Sequence, residues 1–147
     1  MKKSLLLGAG ICAIALMGAG CGQSVSDRVA EQAIQATVGG NAKVGGLPSN
    51  FPTDVPTYPG ATVASALVQD QISIANMTSN DDPQKVSDWY DSTLKAAGFT
   101  QDESMVLTGT VRVYHKGTVA LTVTVGKQGN NPTAIIIQRA EKGYNGQ

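Results

Sequence analysis

Few of the 147 residues carry side chains suited to chemistry. There is one histidine, His115, and there are two cysteines, Cys12 and Cys21. Metal centres and acid–base dyads draw on several such groups at once. A lone histidine at a strand end, beside the turn Lys116-Gly117, reads as a half-exposed polar residue rather than a ligand or catalyst. The densest carboxylate group is Asp81-Asp82 followed by Asp88 and Asp91. Such a group can hold a cation weakly. It equally suits a helix cap and a solvated helix face, with negative charge favoured near the helix N-terminus, and this is the simpler reading. No Gly-x-Ser-x-Gly is present, and the glycines at 39–40 and 45–46 have neither phosphate-loop nor Gly-x-Gly-x-x-Gly spacing. No catalytic, cofactor or metal residue is assigned, and a non-enzyme is expected.

Cys21 has a different context. Met1-Lys2-Lys3-Ser4 is a cationic stub, and Leu5 to Met17 is almost wholly apolar and uncharged. That run is about 13 residues, whereas a membrane-spanning helix needs about 20. A positive stub, a short apolar core and small residues describe a secretory leader. The small residues are Gly18, Ala19 and Gly20, with the thiol of Cys21 next.

Gly18-Ala19-Gly20-Cys21 resembles the lipobox of bacterial lipoproteins, with glycine at 18 where that family usually has an aliphatic residue. The resemblance implies cleavage between Gly20 and Cys21, a diacylglyceryl group on the Cys21 sulfur, and often acylation of the new amino end. The implied location is extracytoplasmic, at a bacterial membrane, inner or outer. Cleavage removes Cys12 and lipidation occupies Cys21, which leaves no disulfide and suits an oxidising envelope. One acyl chain binds a bilayer marginally, whereas two or more hold firmly. The membrane is thus an expected partner through lipid rather than polypeptide.

Without residues 1–20 the chain keeps 127 of its 147 residues, enough for one domain. Lys2 and Lys3 leave with the leader, so 9 basic residues face 11 acidic ones, a net charge of −2. No basic patch stands out, and no nucleic-acid partner is expected.

The elements that must position any site come next. Residues 24–38 read as a short helix with a weak stripe of Val29, Ala33, Ile34 and Val38, stopped by Gly39-Gly40. Residues 47–60, LPSNFPTDVPTYPG, hold four of the six prolines and read as an irregular strap, with Phe51, Val55 and Tyr58 as anchors. Thr62 to Gln69 and Gln71 to Thr78 read as two strands around a turn at Asp70-Gln71.

Residues 82–98 carry the strongest local signals. Asp82 suits an N-cap and Pro83 the first helical position. Val86, Trp89, Tyr90, Leu94 and Ala97 share one helical face. Gly98 and Phe99 suit a Schellman stop. Strands are then expected at Met105–Leu107, Thr110–His115, Thr118–Val125 and Thr133–Arg139.

The expected fold is α+β. An antiparallel sheet of about five to six strands carries one amphipathic helix (82–98) across one face, preceded by the short N-terminal helix and the Pro-rich strap. The opposite sheet face, richer in Thr, Ser, Lys and Arg, is expected to be wet. The expected organisation is a leader at 1–20, a lipidated tether at 21–60, the α+β domain at 61–140 and a flexible tail at 141–147.

FPTDVPTYPGATV and VSDWYDSTLKAAGF together resemble segments of small, otherwise uncharacterised bacterial lipoproteins and secreted proteins, over roughly residues 47–139. These motifs are structural, and the resemblance implies no activity. The expected function is a lipid-anchored, non-enzymatic module binding an envelope protein or wall component. The alternative is a carrier of a small apolar ligand or lipid, held between helix and sheet. For the binding module the contact would be the wet sheet face or the proline strap; for the carrier it would be a gap around Trp89. Trp89, Tyr90 and Tyr58 are the candidate ligand or partner contacts.

Overall fold

The computed structural model describes residues 40–105 and 111–142, together with residues 28, 29, 32 and 33. Its strands are β1 (Asn41–Val44), β2 (Thr62–Gln69), β3 (Ile72–Ser79), β4 (Thr100–Gln101), β5 (Val111–Lys116), β6 (Val119–Gly126) and β7 (Thr133–Glu141). One helix, α1 (Pro83–Ala96), lies between β3 and β4, and a 3-10 turn spans Glu103–Met105. The seven strands form a single antiparallel sheet in the order β1-β2-β3-β7-β6-β5-β4.

The architecture is the expected α+β, with seven strands instead of five to six. The two unforeseen strands are the edges. β1 is four residues between glycine pairs, and β4 is two residues. Neither is long enough to show a period of two. Short edges of this kind also limit unwanted pairing with other chains. The strand expected at Met105–Leu107 begins instead as the 3-10 turn, and its remainder lies outside the described residues. Of the predicted helix at 24–38, Arg28, Val29, Gln32 and Ala33 are helical, and the rest lies outside the described residues.

The hairpin β2–β3 turns at Asp70-Gln71 with Asp70 at φ +49°, a left-handed conformation that aspartate tolerates. Asp82 caps α1 by accepting from the Gln84 N–H at 2.9 Å, and Pro83 opens the helix. At the other end Gly98 takes φ +85°. The Gly98 N–H donates to Lys95 O at 3.0 Å and the Phe99 N–H to Leu94 O at 2.9 Å. These are the two bonds of a Schellman stop.

β7 arrives last in the chain yet lies at the centre, between β3 and β6, and joins the two hairpins. Ile135 and Ile137 point towards α1 and are fully buried, while Ile136 points to the other side. Val86, Tyr90 and Leu94 of α1 meet Met77, Leu121, Val123, Ile135 and Ile137 in one core. The strap contributes Val55 and Tyr58 to it. With β1 paired to β2, residues 41–44 belong to the sheet.

The distribution of charge corrects the expectation of a Lys- and Arg-bearing open face. Register fixes which side each strand residue takes. Lys43, Arg112, Lys116, Arg139 and Glu141 are the charged residues of the strands, and all five project on the side of α1. Arg112, Lys116, Arg139 and Glu141 run their stems along the rim of the covering elements, and their heads reach polar partners there.

Candidate functional site

Cys21 and Gly20 lie outside the described residues. Tyr58, Trp89 and Tyr90 do come together. Trp89 meets Tyr58 edge-on at 5.2 Å and Tyr90 edge-on at 4.9 Å. The Tyr58 N–H donates to the Tyr90 hydroxyl oxygen at 3.1 Å. The Tyr58 hydroxyl donates to Asp81 Oδ2 at 2.7 Å, and Lys85 Nζ donates to Asp81 Oδ1 at 3.0 Å. This cluster staples the strap to α1. Tyr90 is 0% exposed and Tyr58 4%, so of the three only Trp89 keeps part of its surface in water.

The electrostatics follow from those contacts. The Tyr58 hydrogen bond, reinforced by Lys85, holds the Asp81 carboxyl below the usual carboxylate range. The same bond raises the Tyr58 hydroxyl. Burial pushes the Tyr90 hydroxyl well above its ordinary value.

The four carboxylates noted in sequence do not converge. Asp81 serves Tyr58 and Lys85, Asp82 caps α1, Asp88 accepts from Gln84 Nε2, and Asp91 pairs with Lys95. Among the described residues no group of three or more His, Cys, Asp or Glu is placed to hold a metal ion. His115 Nε2 lies 3.6 Å from Asp102 Oδ2. Asp102 is occupied by Ser104, whose hydroxyl donates to it at 2.6 Å and whose N–H donates at 3.0 Å, and these bonds chiefly lower its pKa.

The other side of the sheet is built differently. Its central row runs Val44, Ser65, Asn76, Ile136, Thr124, Val111 across β1, β2, β3, β7, β6 and β5. The adjacent row is Ala42, Leu67, Ile74, Gln138, Thr122, Val113. Towards one end follow Gln69, Ile72, Ala140, Ala120, His115 and Thr100. No Lys, Arg, Asp or Glu occurs in these rows, and His115 stands at the rim. Ile136, on the central strand, is 42% exposed.

Three concavities open on this side. Thr124, Lys127, Asn131 and Ile136 line one of about 470 Å³ beside the β6–β7 loop. His115, Ala120, Ala140 and Lys142 line another of about 470 Å³ at the opposite end. A smaller one of about 200 Å³ lies among Ser65, Leu67, Ile74 and Asn76.

The sequence points to the open sheet face as a contact surface, but not to which strand residues form it. The signal was available in part: in β5, Val111 and Val113 alternate with Arg112 and Tyr114. The period does not say which parity a helix will cover. Among the described residues no helix is long and apolar enough to cross a membrane. No family model matches the chain, and no curated protein or solved structure is similar to it.

Proposed function

We propose that this protein is a non-enzymatic module of the bacterial cell envelope, tethered by lipid on Cys21, whose uncovered sheet face contacts an envelope protein or wall component. One observation supports this reading above the others. A seven-stranded sheet presents a broad side, covered by neither α1 nor the strap, whose strand rows carry no formal charge, with Lys127 and Lys142 only at its ends. Solvent-facing sides of antiparallel sheets are ordinarily polar, and charged side chains are the residues least often removed from water. Here the charged strand residues have been placed on the covered side.

The space that a carrier would use is filled. Tyr90, Leu94, Tyr114, Leu121 and Ile137 are fully buried between α1 and the sheet. Binding therefore falls to the surface. The anchor follows from the lipobox resemblance at 18–21 and from the uncharged run before it.

Two measurements test the reading. Mass spectrometry of the native protein should find an acylated amino-terminal Cys21, and a Cys21→Ala form should move to the soluble envelope fraction. An unmodified sulfur overturns the anchor. Substitution by lysine at Ile136 or Gln138 should abolish capture of the partner by the tethered protein, whereas Lys85→Ala, on α1, should not. Equal loss from both sides overturns the contact face.

A further inference from the structure

We infer that the uncovered sheet face is homotypic: two copies of this chain pack sheet against sheet, with Ile136 of each at the centre. The inference rests on that face being the contact surface and names its occupant.

The symmetry of the face is the first support. β7 has three strands on each side, so Ile136 lies in the middle of the sheet. At a two-fold interface each residue meets a counterpart, and a residue on the axis meets its own copy. A central exposed apolar side chain ringed by smaller polar ones is the arrangement that interface hot spots take. Ile136 has Asn76 and Thr124 across from it on the neighbouring strands, and Ala134 and Gln138 along its own.

Charge is the second. The strand rows of this face carry no Lys, Arg, Asp or Glu, and Lys127, Lys142 and Asp102 stand only at its rim, so the central rows of two copies meet without repulsion and give an acidic or basic partner nothing to pair with. A bilayer interior also fits poorly, because Gln138, Thr122 and Thr124 would lose water without gaining partners, and the Asn76–Ser65 hydrogen bond uses only part of the donors and acceptors of that pair. Against a second copy, the same groups can hydrogen-bond across the interface.

Area is the third. The five longer strands, about 4.8 Å apart and overlapping over about six residues, with the short edges β1 and β4, give a side of roughly 600 Å². Two such sides bury on the order of 1,200 Å², at the lower end of specific interfaces. Opposed sheets of this kind pack about 10 Å apart with side chains interleaved. The concavities on either side of Ile136 give room for that interleaving.

The test uses the whole chain, in its membrane and in mild detergent. A photoreactive side chain at position 136 should crosslink to a second copy, and one at position 96, on exposed α1, should not. In sedimentation the chain should form a dimer that depends on concentration. Ile136→Lys should weaken it about 30-fold while leaving the far-UV spectrum, and the melting temperature at dilutions where both chains are monomeric, nearly unchanged.

Four results overturn the proposal. These are a monomer at all concentrations, a dimer indifferent to Ile136→Lys, equal crosslinking from 96 and 136, and a dimer seen only after residues 24–38 are deleted. The last would mean that this segment of the chain itself is the occupant. If position 136 crosslinks only to a different protein, the homodimer fails but the contact face stands. If it crosslinks to nothing, both fail.

Discussion

The two sides of one sheet are made from alternate residues of the same strands, and they have been given opposite tasks. On the covered side Arg139, 13% exposed, donates from Nε to both carboxylate oxygens of Asp54 at 3.0 and 3.1 Å and so ties the strap to the central strand. Arg112 Nη1 donates to Ser87 O at 3.2 Å, and Lys116 Nζ donates to Ala97 O at 2.7 Å. One residue along from Arg139, Gln138 faces the uncovered side, where such fastenings are lacking among the described residues. Charge here therefore fastens the covering layer to the sheet. Its absence marks a side that has been left available.

If that division is real, the largest difference between the sides is in packing. Leu94→Ala on α1 removes a fully buried side chain and should cost roughly 2–5 kcal/mol. Ile74→Ala, on the uncovered side, should cost about 1 kcal/mol or less. Urea unfolding at low protein concentration compares them. Equal costs would mean that something covers the uncovered side in the isolated chain.

The same contrast explains what the sequence disclosed. α1 was legible to its caps because Asp82, Pro83, Gly98 and Phe99 are local signals, and the structure uses each as local chemistry dictates. β2 matched to the residue at both ends, and β3 shifted by one, because Ile72 and Ile74 alternate with Ser73 and Ala75. β1 was not legible, since Asn41-Ala42-Lys43-Val44 becomes a strand only by pairing with β2. The strap anchors Val55 and Tyr58 are legible in the sequence and enter the core, but their partners are not: Tyr58 meets Tyr90 and Asp81, 32 and 23 residues away. The candidate site was the least legible part. Alternation divides a strand into two sets, and the choice of the set to be covered is made by the helix.

Neighbours on one strand give the next comparison. Arg139→Ala should cost about 1–2 kcal/mol, reduced by the partial exposure of Asp54. Gln138→Ala should stay within about 0.5 kcal/mol. Chemical denaturation of both, with proteolysis of the strap as a local probe, checks this. An Arg139→Ala chain whose strap resists proteolysis as well as the parent would show that Tyr58 alone holds it.

Alkali should act through the covered side, where the buried phenols lie, and acid through Asp81 there and through Asp102 beside His115 at the rim of the other face. The Asp81 pKa is depressed by Tyr58 and Lys85. Its contribution is complete above the unfolded value of about 4 and is lost as pH falls through the lower folded value. Burial raises the Tyr90 hydroxyl. Its contribution is complete below the unfolded value of about 10 and is lost as pH rises beyond it. Melting temperature against pH should therefore fall at both ends, and Asp81→Asn should reduce the acid limb, the rest of which Asp102 supplies, and leave the alkaline limb unchanged. An acid limb unchanged in that variant would remove Asp81 from the account of strap docking.

The smallest effect is the most informative. Thr122 sits beside Gln138 in the uncovered rows, on β6. Thr122→Lys places there the kind of charge that the strands otherwise keep on the side of α1. A half-exposed strand position on a solvated face takes lysine at little cost, because the stem lies along the sheet and the ammonium stays in water. At high dilution the change should leave stability within about 0.5 kcal/mol. If it does, folding does not require this face to be uncharged, and the reason for its composition must lie in what it touches. A loss above about 1 kcal/mol at dilution would mean instead that the fold itself excludes charge at this position, and the contrast between the two sides would then reflect packing.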